Sequence, residues 1–115
     1  MLAGVSGRSL RLAAGEELTV RDLLYASLCG GYNDATAALA VLASGSVAEF
    51  VSLMNREAER LGANGTRFTN PTGLHEDGMV TTARDIAAIA RAAWGNDLFM
   101  RTVSATSYTI PATNV

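Results

Sequence analysis

The stretch Leu23-Leu24-Tyr25-Ala26-Ser27-Leu28-Cys29-Gly30-Gly31-Tyr32-Asn33-Asp34-Ala35-Thr36-Ala37-Ala38-Leu39-Ala40 decides how this chain is organised. It contains two apolar patterns of helical period, and the tetrapeptide Gly30-Gly31-Tyr32-Asn33 separates them. The amide side chain of Asn33 is therefore expected at the start of the second helix. A side chain at that position can cap the helix or hold a ligand.

The composition predicts one domain, 1–115, with a modest core, because 49% of the 115 residues are hydrophobic. Nine basic and eleven acidic residues are spread along the chain and give a net charge of −2, which argues against nucleic acid or an anionic membrane as a partner. Every basic residue is arginine, so this chain supplies no lysine amine to any mechanism. No apolar run is long enough to cross a bilayer, and residues 1–6 do not resemble a signal peptide.

Local capping signals predict helices on both sides of the break. Thr19 and Asp22 form a capping-box variant, Ser46 and Glu49 form a full capping box, and Thr82 with Asp85 caps a later helix. The apolar periodicity of this later helix predicts that Ile86, Ile89, Ala90 and Ala93 face the core. The predicted helices are Val20–Leu28, Asp34–Ala43, Val47–Leu61 and Ala83–Trp94, followed by a short helical turn through Leu98, Phe99 and Val103.

Two short stretches outside the helices have strand character. Residues 9–12 alternate polar and apolar side chains, and residues 106–110 are rich in β-branched and aromatic side chains. A lone short strand is only marginally stable, so these two stretches are predicted to pair as an antiparallel hairpin on the helices. The expected fold class is mainly α, with four to five helices and this hairpin.

Residues 63–81 lose the helical period and contain a series of turn dipeptides. A loop of this length in a compact domain is usually functional or disordered. Its apolar residues Phe68, Leu74 and Met79 predict that it is packed against the helices.

The familiar catalytic and metal-binding patterns are missing from the sequence. His75, the only histidine, lies among turn residues, and a backbone hydrogen-bonding role is favoured over that of a general base. The lone Cys29 predicts a small core residue, and no ligand spacing for zinc or calcium is present. Gly30-Gly31 follows a helix and not a strand, so it is not a phosphate-binding fingerprint. We therefore expect no metal and no cofactor.

Two asparagine sites keep two interpretations each. Asn33 can grip a peptide-like substrate through its amide, but its spacing alone favours a helix N-cap. The run Asn70-Pro71-Thr72-Gly73-Leu74 can shape the rim of a site or only turn the chain.

A series of short motifs resembles, in order, the serine D-alanyl-D-alanine carboxypeptidases, which are low-molecular-mass penicillin-binding proteins. Each motif is weak alone, but the ordered series is specific and extends over nearly the whole chain. The motifs are Leu23-Leu24-Tyr25, Asn33-Asp34-Ala35, Phe50-Val51, Leu53-Met54-Asn55, Leu61-Gly62-Ala63, Phe68, Asn70-Pro71, Gly73-Leu74-His75 and Thr81-Thr82-Ala83-Arg84-Asp85.

This resemblance implies an extracytoplasmic enzyme of peptidoglycan maturation. Such an enzyme removes the terminal D-alanine of a pentapeptide stem by acyl transfer to a serine, and penicillins and other β-lactams acylate the same serine. The implied fold is the α/β fold of β-lactamases and penicillin-binding proteins, with this chain as its helical subdomain. The implied partners are the stem peptide and β-lactams.

The family's catalytic motifs are S-x-x-K, S-x-N and K-T-G. The resemblance places S-x-N on Gly31-Tyr32-Asn33, so that Asn33 matches the substrate-contacting asparagine and Gly31 replaces the motif serine. The Tyr32 hydroxyl is a candidate substitute for that serine, and Tyr32, Asn70, Gly73 and His75 are the candidate rim residues.

Without lysine, this chain contains neither S-x-x-K nor K-T-G, and it is expected to be a segment of a longer enzyme, inactive alone. The alternative is a non-catalytic module of the same architecture that binds a partner or a glycan.

Overall fold

The computed structural model describes residues 5–115 and consists of five helices joined by irregular segments. The sequence prediction made on residues 1–6 lies mostly outside this range. The helices are α1 (Val20–Leu28), α2 (Asn33–Ser44), α3 (Val47–Arg60), α4 (Ala83–Trp94) and α5 (Asp97–Ser104). In space they follow the order α4, α5, α1, α2, α3, each packing on the next. The predicted mainly α class is confirmed.

Capping side chains define the helix starts as predicted. Thr19 and Asp22 form the complete capping box of α1, and the hydroxyls of Ser46 and Thr82 accept the N–H groups of Glu49 and Asp85. Because these signals are local, α1 and α4 begin and end where predicted. Helix α2 is one residue longer than predicted at each end, and α3 is one residue shorter at its C-terminal end. The short turn after Gly95 is longer than expected, since Asn96 caps the two-turn helix α5.

The core is built from small side chains, which lets the helices approach closely. Thr102 is also fully buried, and its hydroxyl donates to the Phe99 carbonyl at 2.7 Å. Cys29, predicted in the core, is half-buried, with its thiol 3.3 Å from the Ala105 carbonyl oxygen. The buried apolar residues are Ala26, Ala35, Ala37, Ala40, Ala58 and Ala63.

The predicted hairpin of 9–12 with 106–110 is wrong: neither stretch forms a strand in the structure. The backbone N–H groups of Leu10 and Leu12 donate to the carboxylate of Asp34 and are therefore not available for hydrogen bonds to another strand. Arg11 between them has a φ of 60°, which breaks the extended conformation.

The two stretches are nevertheless neighbours. Leu10, Leu12 and Ile110 line one cleft, and side chains connect the adjoining residues. Asn114 donates to the Gly15 carbonyl oxygen, and Thr113 donates to the carboxylate of Glu16. The sequence therefore predicted that these two segments are neighbours but not the kind of bond that holds them.

The long loop is packed, as predicted. Phe68 and Met79 are half-buried, whereas Leu74 is 36% exposed. The amide of Asn55 on α3 makes two hydrogen bonds with the backbone of Phe68, at 2.7 and 2.9 Å. An isolated antiparallel bridge, Arg67 with Val80, closes the loop at its base.

No single helix among the described residues is long and apolar enough to cross a membrane, and only α2 and α3 taken together, across their 82° bend, reach that length and apolarity.

Candidate active site

The break after α1 is a tight turn that depends on glycine. Gly31 has a φ of 70°, in the left-handed region that side chains with a Cβ rarely adopt. The turn carries the chain back so that the Tyr32 N–H donates to the Ala26 carbonyl oxygen at 3.0 Å. A Cβ added at Gly31 would have no neighbour within 4 Å, so the glycine is favoured by the backbone conformation and not by lack of space.

Asn33 is the first residue of α2 and not its cap, so the interpretation that its spacing favoured is wrong. Tyr32 occupies the N-cap position and makes no side-chain capping bond. The Asn33 side chain turns outward instead, and its Nδ2 donates to the Ser6 carbonyl oxygen at 2.9 Å. The Asn33 backbone N–H donates to the Arg8 carbonyl oxygen at 2.8 Å. The segment before α1 therefore fixes both the side chain and the backbone of this residue.

Gly7 makes this arrangement possible, and sequence reasoning missed it. Its φ is 86°, and an added Cβ would lie 2.4 Å from Nδ2 of Asn33. Only a glycine lets the backbone of residues 6–8 pass so close to the amide. The position of this glycine, two residues ahead of a strand-like run, was its only signal in the sequence.

Asp34 is the second residue that sequence reasoning missed. It is 5% exposed, and its carboxylate accepts the Ser9 hydroxyl at 2.8 Å and the N–H groups of Leu10 and Leu12 at 3.0 and 3.2 Å. Burial acts to raise the pKa of Asp34, but the hydrogen bonds from Leu10, Leu12, Ser9 and Ala35 outweigh it and lower the pKa. The carboxylate thus holds residues 9–12 against α2, next to Asn33.

The Tyr32 hydroxyl is engaged by an arginine. Arg8 donates to this hydroxyl at 3.2 Å, and its guanidinium carbon lies 4.5 Å from the centre of the Tyr32 ring. The Tyr32 carbonyl accepts the Thr36 hydroxyl at 3.2 Å, which holds the residue at the start of α2.

Two of the three predicted rim residues of the long loop, Asn70 and His75, line a cleft near Asn33, and the third, Gly73, is not among the residues that line it. Asn70, Leu74 and His75 line a cleft of about 280 Å³ together with Ser6, whose carbonyl binds Asn33. Gly73, with a φ of 81°, turns the chain between Asn70 and His75. Tyr32 does not line this cleft and lies with Arg8 at a separate one.

Asn70 is the organiser of this loop. Its Oδ1 accepts the N–H groups of Thr72 and Gly73, and its Nδ2 donates to the Leu74 carbonyl and to the Glu76 carboxylate. Hydrogen bonds from Thr69 and then Asn70 lower the pKa of Glu76. Because the Asn70 amide is used within the loop, it shapes the rim.

Residues 5–115 contain no group of three or more histidine, cysteine or acidic side chains that could hold a metal ion.

Comparison with known proteins identifies the family. A family profile described as D-alanyl-D-alanine carboxypeptidase matches residues 2–111. The chain belongs to this family. It is similar to the D-alanyl-D-alanine carboxypeptidase DacF of Bacillus subtilis, with 43% identity over 89 residues that cover 77% of this chain and 23% of DacF. It is also similar to the D-alanyl-D-alanine endopeptidase of Escherichia coli, with 34% identity covering 90% of this chain and 36% of that protein.

Two solved structures of 33% and 37% sequence identity share the fold of this chain. Penicillin-binding protein 6B of Escherichia coli superposes with a TM-score of 0.85 at 33% identity, covering 95% of this chain and 35% of that one. The carboxypeptidase DacD of Francisella tularensis superposes with a TM-score of 0.79 at 37% identity, covering 88% of this chain and 24% of that one. The chain thus spans about a quarter to a third of these relatives.

Proposed function

We propose that this chain forms the helical part of a serine D-alanyl-D-alanine carboxypeptidase and supplies one wall of its active site. The intact enzyme would act outside the cytoplasm, trim the pentapeptide stems of peptidoglycan and be acylated by penicillins. The arrangement of Asn33 carries this proposal, because its amide is held at the start of α2 by a bond to Ser6 that a Cβ at residue 7 would crowd, while its backbone binds Arg8. Residues 1–115 would act as a single unit in this role.

Asn33 would bind the substrate through the amide groups that its bond to Ser6 leaves free. Its amide carries two N–H donors and one oxygen acceptor, so it matches both groups of a peptide bond. One donor is held by Ser6, and in residues 5–115 its Oδ1 accepts no hydrogen bond. The N-terminus of α2 adds a partial positive charge beside it. A peptide that contacts this amide would be oriented for attack by a serine outside these 115 residues.

The loop of residues 70–75 would form the rim on the side of Ser6. Asn70 and Gly73 would give the loop its shape, and His75, which is exposed at the cleft, would contact the bound peptide. Tyr32 would form a further part of the rim, next to Arg8.

The alternative, a non-catalytic module that binds a partner or glycan, is favoured by one observation. Gly31 stands where the motif has serine, and its φ of 70° suits glycine better than serine. The Tyr32 hydroxyl accepts a bond from Arg8 and would have to change partner to move a proton in place of that serine.

A chimera tests the role of Asn33. The matching segment of DacF is replaced by this chain, and release of D-alanine from a D-alanyl-D-alanine peptide is measured. We expect an active chimera in which Asn33→Ala lowers the rate at least tenfold, the effect of about 1.4 kcal/mol in the transition state. Asn64→Ala, a change at an exposed loop residue, is the control and should keep the rate. A chimera with equal rates for both variants would contradict the proposal, and an inactive chimera that still folds would support the non-catalytic alternative.

Labelling with a fluorescent penicillin tests whether the nucleophile lies outside this chain. Because acylation needs the serine and lysine of S-x-x-K, the chain alone should not be labelled covalently, whereas the active chimera should be. Covalent label on the 115-residue chain would show that a nucleophile lies within it.

A further inference from the structure

Arg8 and Tyr32 form a pair that the proposed role of Asn33 leaves unused. The guanidinium stacks on the Tyr32 ring and spends one N–H group on its hydroxyl. An arginine held in this way keeps further N–H groups for a planar acceptor such as a carboxylate. Within residues 5–115 the only ion pair is that of Arg60 with Glu57, so no described carboxylate satisfies Arg8.

The pair is held in place before any ligand arrives. The Tyr32 ring lies against Gly30, where an added Cβ would be 2.6 Å from two ring carbons. The Arg8 backbone is fixed as well, since its carbonyl oxygen accepts the Asn33 N–H at 2.8 Å. A cation that is already ordered loses less side-chain entropy on binding than a free surface arginine does.

A cleft beside the pair has the chemistry of an anion site. It measures about 260 Å³ and is lined by Arg8 and aromatic side chains, without an acidic residue among its described walls. Tyr25 and Tyr108 stack there with ring centres 4.0 Å apart. The Tyr108 hydroxyl is committed to Asp22 at 2.7 Å, which keeps that carboxylate occupied.

We propose that Arg8, stacked on Tyr32, binds a carboxylate of the peptide whose amide contacts Asn33, and that it thereby makes the site selective for acidic peptides. This inference rests on the proposed function. Two carboxylates of such a peptide share the required chemistry: the one at its C-terminus and one on a residue nearer its N-terminus.

Titrations of the ¹⁵N-labelled 115-residue chain, followed by NMR, test the inference. The probes are N-acetyl-D-alanyl-D-alanine, its C-terminal amide, and N-acetyl-D-glutamyl-D-alanyl-D-alanine amide, which carries only an upstream carboxylate. We expect at least one acidic probe to bind about two- to fivefold more tightly than the uncharged amide, the size of an exposed charge pair. The preferred probe identifies which carboxylate is bound, and the preference should shrink in high salt.

Variants assign the effect to the pair. Arg8→Gln should abolish the preference for the acidic probe, and the same change at Arg11, an exposed residue of the same segment, should preserve it. Tyr32→Phe keeps the stacking ring and should largely retain the preference, whereas Tyr32→Leu should reduce it.

Four outcomes separate this inference from the proposed function. Peptides that shift the Asn33 resonances but bind equally with and without a carboxylate overturn the role of Arg8 alone, as does a preference that survives Arg8→Gln. Acidic probes that shift Arg8 and Tyr32 without reaching Asn33 support the anion site and contradict peptide binding at Asn33. Absence of any shift overturns both.

Discussion

The corner of the structure formed by Asn33, Asp34 and the segment that they bind differs from the surface of α4 and α5 in how its side chains are accommodated. At the corner, buried and half-buried polar groups find their partners within the chain: Asn33 binds Ser6, and Asp34 binds the segment 9–12. On the α4 and α5 surface, large apolar side chains face solvent. Trp94 is 70% exposed, Ile86 45% and Leu98 43%.

The two regions therefore differ in how far their side chains are satisfied by contacts within the chain. Polar bonds position the site residues without help from outside the chain, so the geometry of the corner follows from these residues alone. An exposed apolar surface of this kind is typical of an interface. We therefore expect a covering surface to add stability to the α4 and α5 region and not to the corner.

Three buried aspartates hold the irregular segments in place by hydrogen bonds. Asp22, Asp34 and Asp85 each lie in the first turn of a helix, where the helix dipole favours a negative charge. Each binds a different non-helical segment: Asp22 binds Tyr108, Asp34 binds residues 9–12, and Asp85 binds Gly65 and Thr66. Helix starts thus serve this fold as anchors for its loops.

Removing the anchor of the corner should have the largest effect. Asp34→Ala leaves the half-buried N–H groups of Leu10 and Leu12 without an acceptor, and we expect a loss of about 3 kcal/mol in the free energy of unfolding. Denaturant unfolding followed by circular dichroism measures it. Asp77→Ala, in the exposed part of the long loop, should change stability by less than about 0.5 kcal/mol. Similar losses for the two variants would show that the corner does not depend on this carboxylate.

A side chain at residue 7, which would crowd the corner, should have the second-largest effect on stability. Gly7→Ala combines an unfavourable φ with a Cβ that displaces the Asn33 amide from Ser6, and we expect a loss of about 2 kcal/mol. Gly15→Ala has a similar φ of 80° but open space around the added Cβ, so it should cost only about 1 kcal/mol. Only Gly7→Ala should also shift the side-chain amide resonances of Asn33. Equal losses and an unmoved amide would mean that the close approach does not constrain this residue.

Acid should weaken the fold through two of its buried aspartates. Tyr108 and Thr19 lower the pKa of Asp22, and the pKa of Asp34 is lowered in spite of burial. A group whose pKa is lower in the folded state stabilises that state above its unfolded pKa, here about 4, and loses this contribution as the pH falls through the folded value. The free energy of unfolding should therefore decrease below about pH 4 and decrease less steeply in Asp34→Asn. An equal pH slope in the two proteins would contradict this role for Asp34.

The predictions from sequence succeeded where the signals are local and failed where distant residues decide. Thr19, Ser46 and Thr82 cap helices whose residues follow directly, so the helix bounds were predictable. The strand assigned to residues 9–12 failed because Asp34, more than twenty residues away, takes the N–H groups that a strand would need. Nothing in the spacing of Asn33 separates a cap from the first residue of a helix.

The same distinction applies to the buried faces. The periodicity of α4 predicts that Ile86, Ile89, Ala90 and Ala93 face a core, yet Ile86 and Ala90 are exposed. An amphipathic pattern shows that a face is suited to burial but not which surface covers it. The order of the sequence motifs, in contrast, indicates the family without any information on the geometry.

Restoring the motif serine tests whether the turn tolerates it. Gly31→Ser places a side chain in open space but at a φ of 70°, and we expect a cost of about 1 kcal/mol without displacement of Asn33. Gly45→Ser, at the end of α2, is equally open and should cost a similar amount, so it serves as the control for backbone strain. In the DacF chimera, Gly31→Ser should raise the rate if the hydroxyl is what the site lacks. A rate that falls further than with Gly45→Ser would instead mean that the turn itself needs glycine.

The smallest effect is expected on the uncovered surface. Because Trp94 is 70% exposed, Trp94→Ser should change the stability of this chain by less than about 0.5 kcal/mol. Leu98 is 43% exposed, so Leu98→Ser should cost somewhat more. Both should lower the binding of a hydrophobic dye such as ANS, since they remove exposed apolar area. In the chimera, where more chain is available to pack on this surface, the same substitutions should cost about 1 kcal/mol or more. Equal effects in both settings would show that the surface stays uncovered, and the contrast between a self-contained corner and a dependent scaffold would then be lost.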